Sequence, residues 1–186
     1  KRQVYHDTHS SGDLAREGLA AYAAHPLLNT VSIDRTWYAP IDRSEFEAYA
    51  NAVPAGFRFV VKAYAGCTIP LDSPAARVLG SAGLRAQEAR PDGAYLDTDT
   101  ARRLVIGPAL EGLGPHLGAI VFQFPPLGPR HTRQPERFGA ALGEFLHALP
   151  EGPIYAVEIR DSDLLTRTYY EALENNDVCH CFSVHP

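Results

Sequence analysis

The order of apolar runs and helical periods along this chain predicts an α/β fold with a parallel sheet, built as a (β/α) barrel of which about five strands are visible. Three observations lead there. Short runs rich in β-branched residues alternate with stretches of helical period, and parallel neighbours need a long connection that a helix supplies. Both faces of each strand run are apolar for most of its length, as in a sheet that is covered on both sides. No strand is followed by a glycine-rich turn of the G-x-G-x-x-G or Walker type, which removes the usual signature of a nucleotide-binding doubly wound sheet and leaves the barrel favoured.

The first element is a helix from about Asp13 to His25, with Leu14, Gly18, Leu19, Tyr22 and Ala23 on one face and Ser10, Ser11 or Asp13 as its N-cap. The run Leu27 to Asp34 is a buried strand closed by polar residues. Ser44 followed by Glu47 reads as a capping box opening a helix through about Ala52, which Pro54-Ala55-Gly56 ends. Phe57 to Ala63 is the next strand. Residues 64–96 are rich in Gly and Pro and lack a sustained apolar period, so they read as a long β–α loop insertion with at most short helical pieces. A helix from about Asp99 to Leu110 is broken by Gly112-Leu113-Gly114-Pro115, and a strand from Leu117 is stopped at Pro125-Pro126. A helix from Pro135 to Ala148, a strand from Ile154 to Arg160, a helix from Leu164 to Glu174 and a strand from Val178 to Val184 complete the order.

At 186 residues the chain is one domain, 1–186, able to bury about 70% of its unfolded surface without disulfide or metal staples. With 45% hydrophobic residues and no apolar run near the roughly 20 that a membrane-crossing helix needs, the composition excludes such spans, collagen and gross disorder. A net charge of −5 excludes a histone-like, polyanion-coating surface while leaving room for a local basic patch. Three cysteines, an odd and sparse set, fit a reducing compartment, and no signal sequence stands at the start, so the cytoplasm is expected. A full barrel takes about 250 residues and lean ones about 200. The expectation is therefore a barrel truncated at both ends, with one strand before Lys1 and two beyond Pro186.

In parallel sheets ligands bind at the carboxyl ends of the strands. There the first strand ends in Asp34, Arg35, Thr36, Trp37 and Tyr38, the second in Lys62, the third carries Gln123, and the fourth carries Glu158 and Arg160. Alternation puts Ser32 with Asp34, Val60 with Lys62, Val121 with Gln123, and Ala156 with Glu158 and Arg160. Each charged residue alone is as well explained by a structural ion pair. Four successive strands each spending a polar residue at the same end is the pattern of a site.

Three arginines and a histidine between Arg130 and Arg137, Arg133 among them, form a local cationic surface after the third strand. It is either a solvated helix start or a seat for phosphate or carboxylate. Trp37, Tyr38, Tyr64 and Phe124 are then candidates for a flat apolar wall against a sugar or base. His185, just past the last strand, is an accessory residue on the mouth side. Cys179 and Cys181 face one way, but two thiols and His180 fall short of a zinc site, so no metal is assigned. His6-Asp7-x-His9 reads as a solvated turn.

The blocks Thr30-Val31-Ser32-Ile33-Asp34-Arg35-Thr36-Trp37-Tyr38, Phe57-Arg58-Phe59-Val60-Val61-Lys62-Ala63, Phe122-Gln123-Phe124-Pro125-Pro126 and Tyr155-Ala156-Val157-Glu158-Ile159-Arg160 resemble, in order and character, the domain of unknown function 72 family, also called YecE-like. The resemblance implies a TIM-barrel-like fold, usually in longer chains, and brings no settled activity, cofactor or substrate. Many members have Glu-x-Asn where this chain has Ser32-Ile33-Asp34, so one carboxylate has moved by two positions on the same face.

The expectation for function is an enzyme of hydrolase, lyase or isomerase type acting on a polar or anionic small molecule. Glu158 would be the general acid or base, Lys62 an electrostatic stabiliser or base, and Asp34 a further catalytic carboxylate. Arg160, Gln123, Tyr38, Trp37, Arg130, Arg133 and His185 would bind substrate. No nucleophile elbow or H-E-x-x-H run fixes the reaction, and the sequence identifies no cofactor. Nucleic-acid processing, by fold-level analogy with TIM-barrel apurinic endonucleases, and a noncatalytic ligand-binding barrel are the alternatives. The first is not favoured, because the His and acidic metal ligands of those enzymes cannot be assembled here.

Overall fold

A computed structural model of the protein describes residues 18–83 and 94–182, with backbone alone over 80–83. Five strands, β1 (Thr30–Ile33), β2 (Arg58–Lys62), β3 (Leu117–Phe124), β4 (Tyr155–Ile159) and β5 (Cys179–Cys181), form one parallel sheet in the order β1-β2-β3-β4-β5. The order never reverses. A doubly wound sheet reverses at its switch point, whereas consecutive barrel staves run as these do. The fold is a parallel α/β sheet in the form of an unclosed barrel.

The two faces of the sheet differ. Phe59, Val61, Ile120, Phe122, Phe124 and Val157 have no exposure and point into the helical layer, where Phe122 meets Phe145 and Phe124 meets Phe138 edge to face. On the other face Ser32 is exposed and Val60, Lys62, Ala119 and Glu158 are half-buried. The register slips between β2 and β3, where Phe59 pairs with Leu117 but Val60 pairs with Ala119. Gly118 is the extra residue. A Cβ there would stand 3.0 Å from the Phe59 carbonyl oxygen, so the bulge needs glycine to keep β2 and β3 in contact.

The helices are α1 (Arg35–Tyr38), α2 (Arg43–Asn51), α3 (Pro74–Gly83), α4 (Thr98–Ala101), α5 (Gly107–Leu113), α6 (Pro129–Thr132), α7 (Pro135–His147) and α8 (Arg167–Glu174). Glycines set how closely they approach. A Cβ on Gly112 of α5 would fall 2.5 Å from Phe46 Cβ and 2.6 Å from the Arg43 carbonyl of α2, and one on Gly139 of α7 would fall 2.9 Å from Thr168 Cβ of α8. Residues 18–23 are helical; the first five residues of the helix expected from Asp13, with its cap candidates, lie outside the described residues.

Two expectations are corrected. The cap of α2 is Asp42 rather than Ser44: Asp42 sits in the extended region and its carboxylate accepts from the Glu45 N–H at 3.0 Å, while Ser44 is already inside the first turn and donates its hydroxyl to Asp42 at 2.7 Å. The stretch expected to hold only short helical pieces contains α3, ten residues long. Pro74 at its first position and the Ser73 hydroxyl, which accepts from the Ala76 N–H at 3.2 Å, start it despite the surrounding Gly and Pro. The helix expected over about Asp99 to Leu110 is present: it runs from α4 through one π-helical turn, Arg102–Ile106, into α5, and stops at Gly114, within the expected break and in the left-handed region, φ +51°. Among the described residues no helix is long and apolar enough to cross a membrane.

Candidate functional site

The carboxyl ends of β1 and β2 are tied together by backbone chemistry. The chain turns helical straight after Asp34, which brings Thr36 back over the strand ends, where its buried hydroxyl lies 2.6 Å from both the Ile33 and the Lys62 carbonyl oxygens. It can donate to either, and it fixes the backbone at Lys62 relative to β1. Asp34 spends its carboxylate inward rather than on α1: Oδ1 accepts from the Ser32 hydroxyl at 2.7 Å and faces Lys62 Nζ at 3.3 Å. Asp34 is 63% exposed and Lys62 27%, so this pair contributes little to stability and leaves the ammonium reachable.

Two strands further, Gln123 of β3 and Glu158 of β4 are register partners, and the next partner of Glu158 is Cys181 of β5. Glu158 is only 12% exposed, and the one cation beside it among the described residues is Arg160, Nε to Oε1 3.6 Å. Gln123 is 6% exposed and its Oε1 has no hydrogen-bond partner among the described residues. Polar atoms so placed are rare and costly. The register sets Lys62 level with Val121 and Ala156, one pleat below Gln123 and Glu158. With strands about 4.8 Å apart and a rise of about 3.3 Å per residue, the Lys62 and Glu158 Cα atoms stand roughly 12 Å apart on the same face, within reach of one small molecule held by both side chains.

Sequence reasoning weighed Cys181 only as a metal ligand and missed it as a member of this face. Its thiol pKa is raised, first by burial and then by the Glu158 charge, with Lys62 acting the other way. One thiol that feels both groups joins the two halves of the face electrostatically. The signal lay in the alternation, since Cys179 and Cys181 share parity with the row that carries Glu158. His180 points to the opposite side, where its Nδ1 is 2.7 Å from the Tyr169 hydroxyl. Among the described residues no three His, Cys, Asp or Glu side chains gather as for a metal.

The other expected site residues lie elsewhere. Trp37 packs with Ala65, Ile69, Ala76 and Leu79 in a small second core, with its indole N–H buried and without a partner among the described residues. Tyr38 is 63% exposed and stands edge-on to Trp37. Tyr64 and Phe124 form no open wall: both are buried in the main core, Phe124 because it alternates with Gln123 and so faces the helices. Arg130 is paired with Asp72 at 2.8 Å, behind the rim of the sheet, and Arg133 is exposed. His185 lies outside the described residues, as do His6, Asp7 and His9.

Comparison with known proteins agrees with this architecture. A crystal structure of a DUF72 family protein from Enterococcus faecalis V583 at 2.52 Å resolution superposes with a TM-score of 0.55 at 19% identity, covering 90% of this chain and 58% of that one. A second, at 3.10 Å, gives 0.57 at 19% identity, covering 96% and 55%. The chain therefore spans little more than half the length of these structures, and at this identity the likeness speaks to the fold alone. No curated protein matches. The family described as "Protein of unknown function DUF72" matches residues 2–186, and the chain belongs to that family.

Proposed function

We propose that the sheet face carrying Lys62, Gln123, Glu158 and Arg160 is the active site of an enzyme of hydrolase, lyase or isomerase type that acts on a polar, anionic small molecule. The observation that carries this reading is Glu158: a carboxylate 12% exposed, answered among the described residues by one guanidinium at 3.6 Å, beside a buried amide oxygen that has no partner among them. A purely structural arrangement would satisfy those atoms. Glu158 serves as general acid or base, Arg160 orients the anionic group and holds Glu158 in place, and Lys62 stabilises charge that develops at the reacting centre. Asp34 keeps Lys62 aimed at the mouth of the face. All three cysteines are free, which supports a reducing compartment, the cytoplasm.

The test is a screen of phosphate- and carboxylate-bearing metabolites, with any turnover then measured in Glu158→Gln and Lys62→Ala. Loss of about 10²- to 10⁴-fold in kcat for Glu158→Gln, with the fold intact, is expected for a general acid or base. Activity that survives both substitutions unchanged overturns the assignment.

A further inference from the structure

Behind the rim of the sheet lies a cavity of about 430 Å³, separate from the face that carries Lys62 and Glu158. Its apolar wall is built on the helix-facing side of β3: Tyr95 and Phe138 both stand edge-on to Phe124, at 6.5 and 5.5 Å between ring centres. Its other wall is made by His131 and by Arg130 and Arg137, whose guanidiniums make it cationic. Among the described residues a single carboxylate answers that wall. Asp72 accepts from Arg130 Nη1 at 2.8 Å and lies 3.3 Å from His131 Nε2. Among the described residues Arg137 has only the Gln134 side-chain oxygen, at 3.5 Å, and the Tyr95 hydroxyl has no hydrogen bond. Burial and the charge of Asp72 raise the Tyr95 pKa, so its phenol stays a neutral donor.

We infer that this cavity binds a phosphomonoester with a flat apolar body, and that Asp72 occupies the anion seat until such a ligand displaces it. The volume falls in the range of small-molecule sites, roughly 300–1,000 Å³. A carboxylate, as Asp72 itself demonstrates, engages Arg130 and His131 and leaves Arg137 and Tyr95 unused. A phosphate brings three terminal oxygens and up to two charges, enough to take all four donors. The body attached to it then lies along Tyr95 and Phe138. This site rests on residues other than those of the proposed active face, so either can fail without the other.

Calorimetric titration with phenyl phosphate, inorganic phosphate and benzoate tests the inference. Phenyl phosphate is expected to bind about tenfold more tightly than either of the others, and Arg137→Gln to weaken it about tenfold, the scale of one lost charge-assisted contact. Asp72→Asn removes the competing carboxylate and should tighten binding several-fold, a gain that a merely structural Asp72 would not give. Glu158→Gln should leave the affinity unchanged, with circular dichroism confirming that each variant is folded. No binding at millimolar phenyl phosphate, equal affinity for benzoate or for inorganic phosphate, no effect of Arg137→Gln, weaker binding in Asp72→Asn, or loss of binding in Glu158→Gln would each overturn it.

Discussion

Gln123→Met should make the protein more stable while stripping the proposed site of a polar group. Gln123 is 6% exposed, so its amide has lost nearly all contact with water, and Oε1 takes no hydrogen bond from the described residues in return. A buried acceptor left unsatisfied costs about 1–3 kcal/mol. Methionine has nearly the same length and volume, loses a comparable side-chain entropy on burial, and carries a thioether that asks for no partner. Volume-conserving swaps cost under about 1.5 kcal/mol in repacking, so the expected net gain is about 1 kcal/mol. For a chain of this size that raises Tm by roughly 2–4 °C. Urea unfolding followed by circular dichroism, with a thermal scan beside it, measures the change. A loss of more than about 1 kcal/mol would mean that the Gln123 amide is satisfied in the folded protein, and the argument that it waits for a ligand would fall. If the active-site reading holds, the same variant loses activity as it gains stability, the trade expected where a site keeps a polar atom unsatisfied.

Other parts of the fold make separate predictions. Gly112→Ala places a methyl 2.5 Å from Phe46 Cβ and 2.6 Å from a backbone oxygen that cannot swing away, so it should cost about 1–3 kcal/mol in urea unfolding; a neutral result would mean that α2 and α5 can separate freely. Asp42→Ala should lower the unfolding midpoint more than Ser44→Ala does, because Asp42 caps α2. The reverse order would restore the capping box read from Ser44 and Glu47. Burial pushes the Cys67 thiol up to about 12 from 9.0, and the Tyr155 phenol up to about 12 from 10.0. Both folded values lie above the unfolded ones, so their contribution to stability is complete below about pH 9 and is lost as the pH rises toward about 12. Urea unfolding between about pH 8 and 11 should show that decline, and Cys67→Ala should make it shallower; a flat profile in the parent protein would refute the burial argument.

The sequence made the strands and their order legible because each is a short apolar run closed by turn residues, and the polar exceptions, Lys62, Gln123 and Glu158, stand out against such runs. Parity placed these three on one face, and the register bears that out: Gln123 pairs with Glu158, and Lys62 stands level with Val121 and Ala156. Local signals were weaker guides. A Ser and a Glu three apart satisfied the capping-box rule, yet the residue two earlier had the extended backbone and took the cap. Helix α3 was hidden by the Gly and Pro around it.

By itself the sequence determined the α/β class, the parallel connections and the set of polar residues at the carboxyl end, since alternation and periodicity are properties of neighbours along the chain. Tertiary structure decided which of those residues meet. Trp37 turned into a second core, Phe124 toward the helices, and Arg130 to Asp72 behind the rim, while Cys181 joined Glu158 across β4 and β5. Those outcomes depend on strand register and on which helix covers which face, and pairings across dozens of residues are set by packing, which no local pattern encodes.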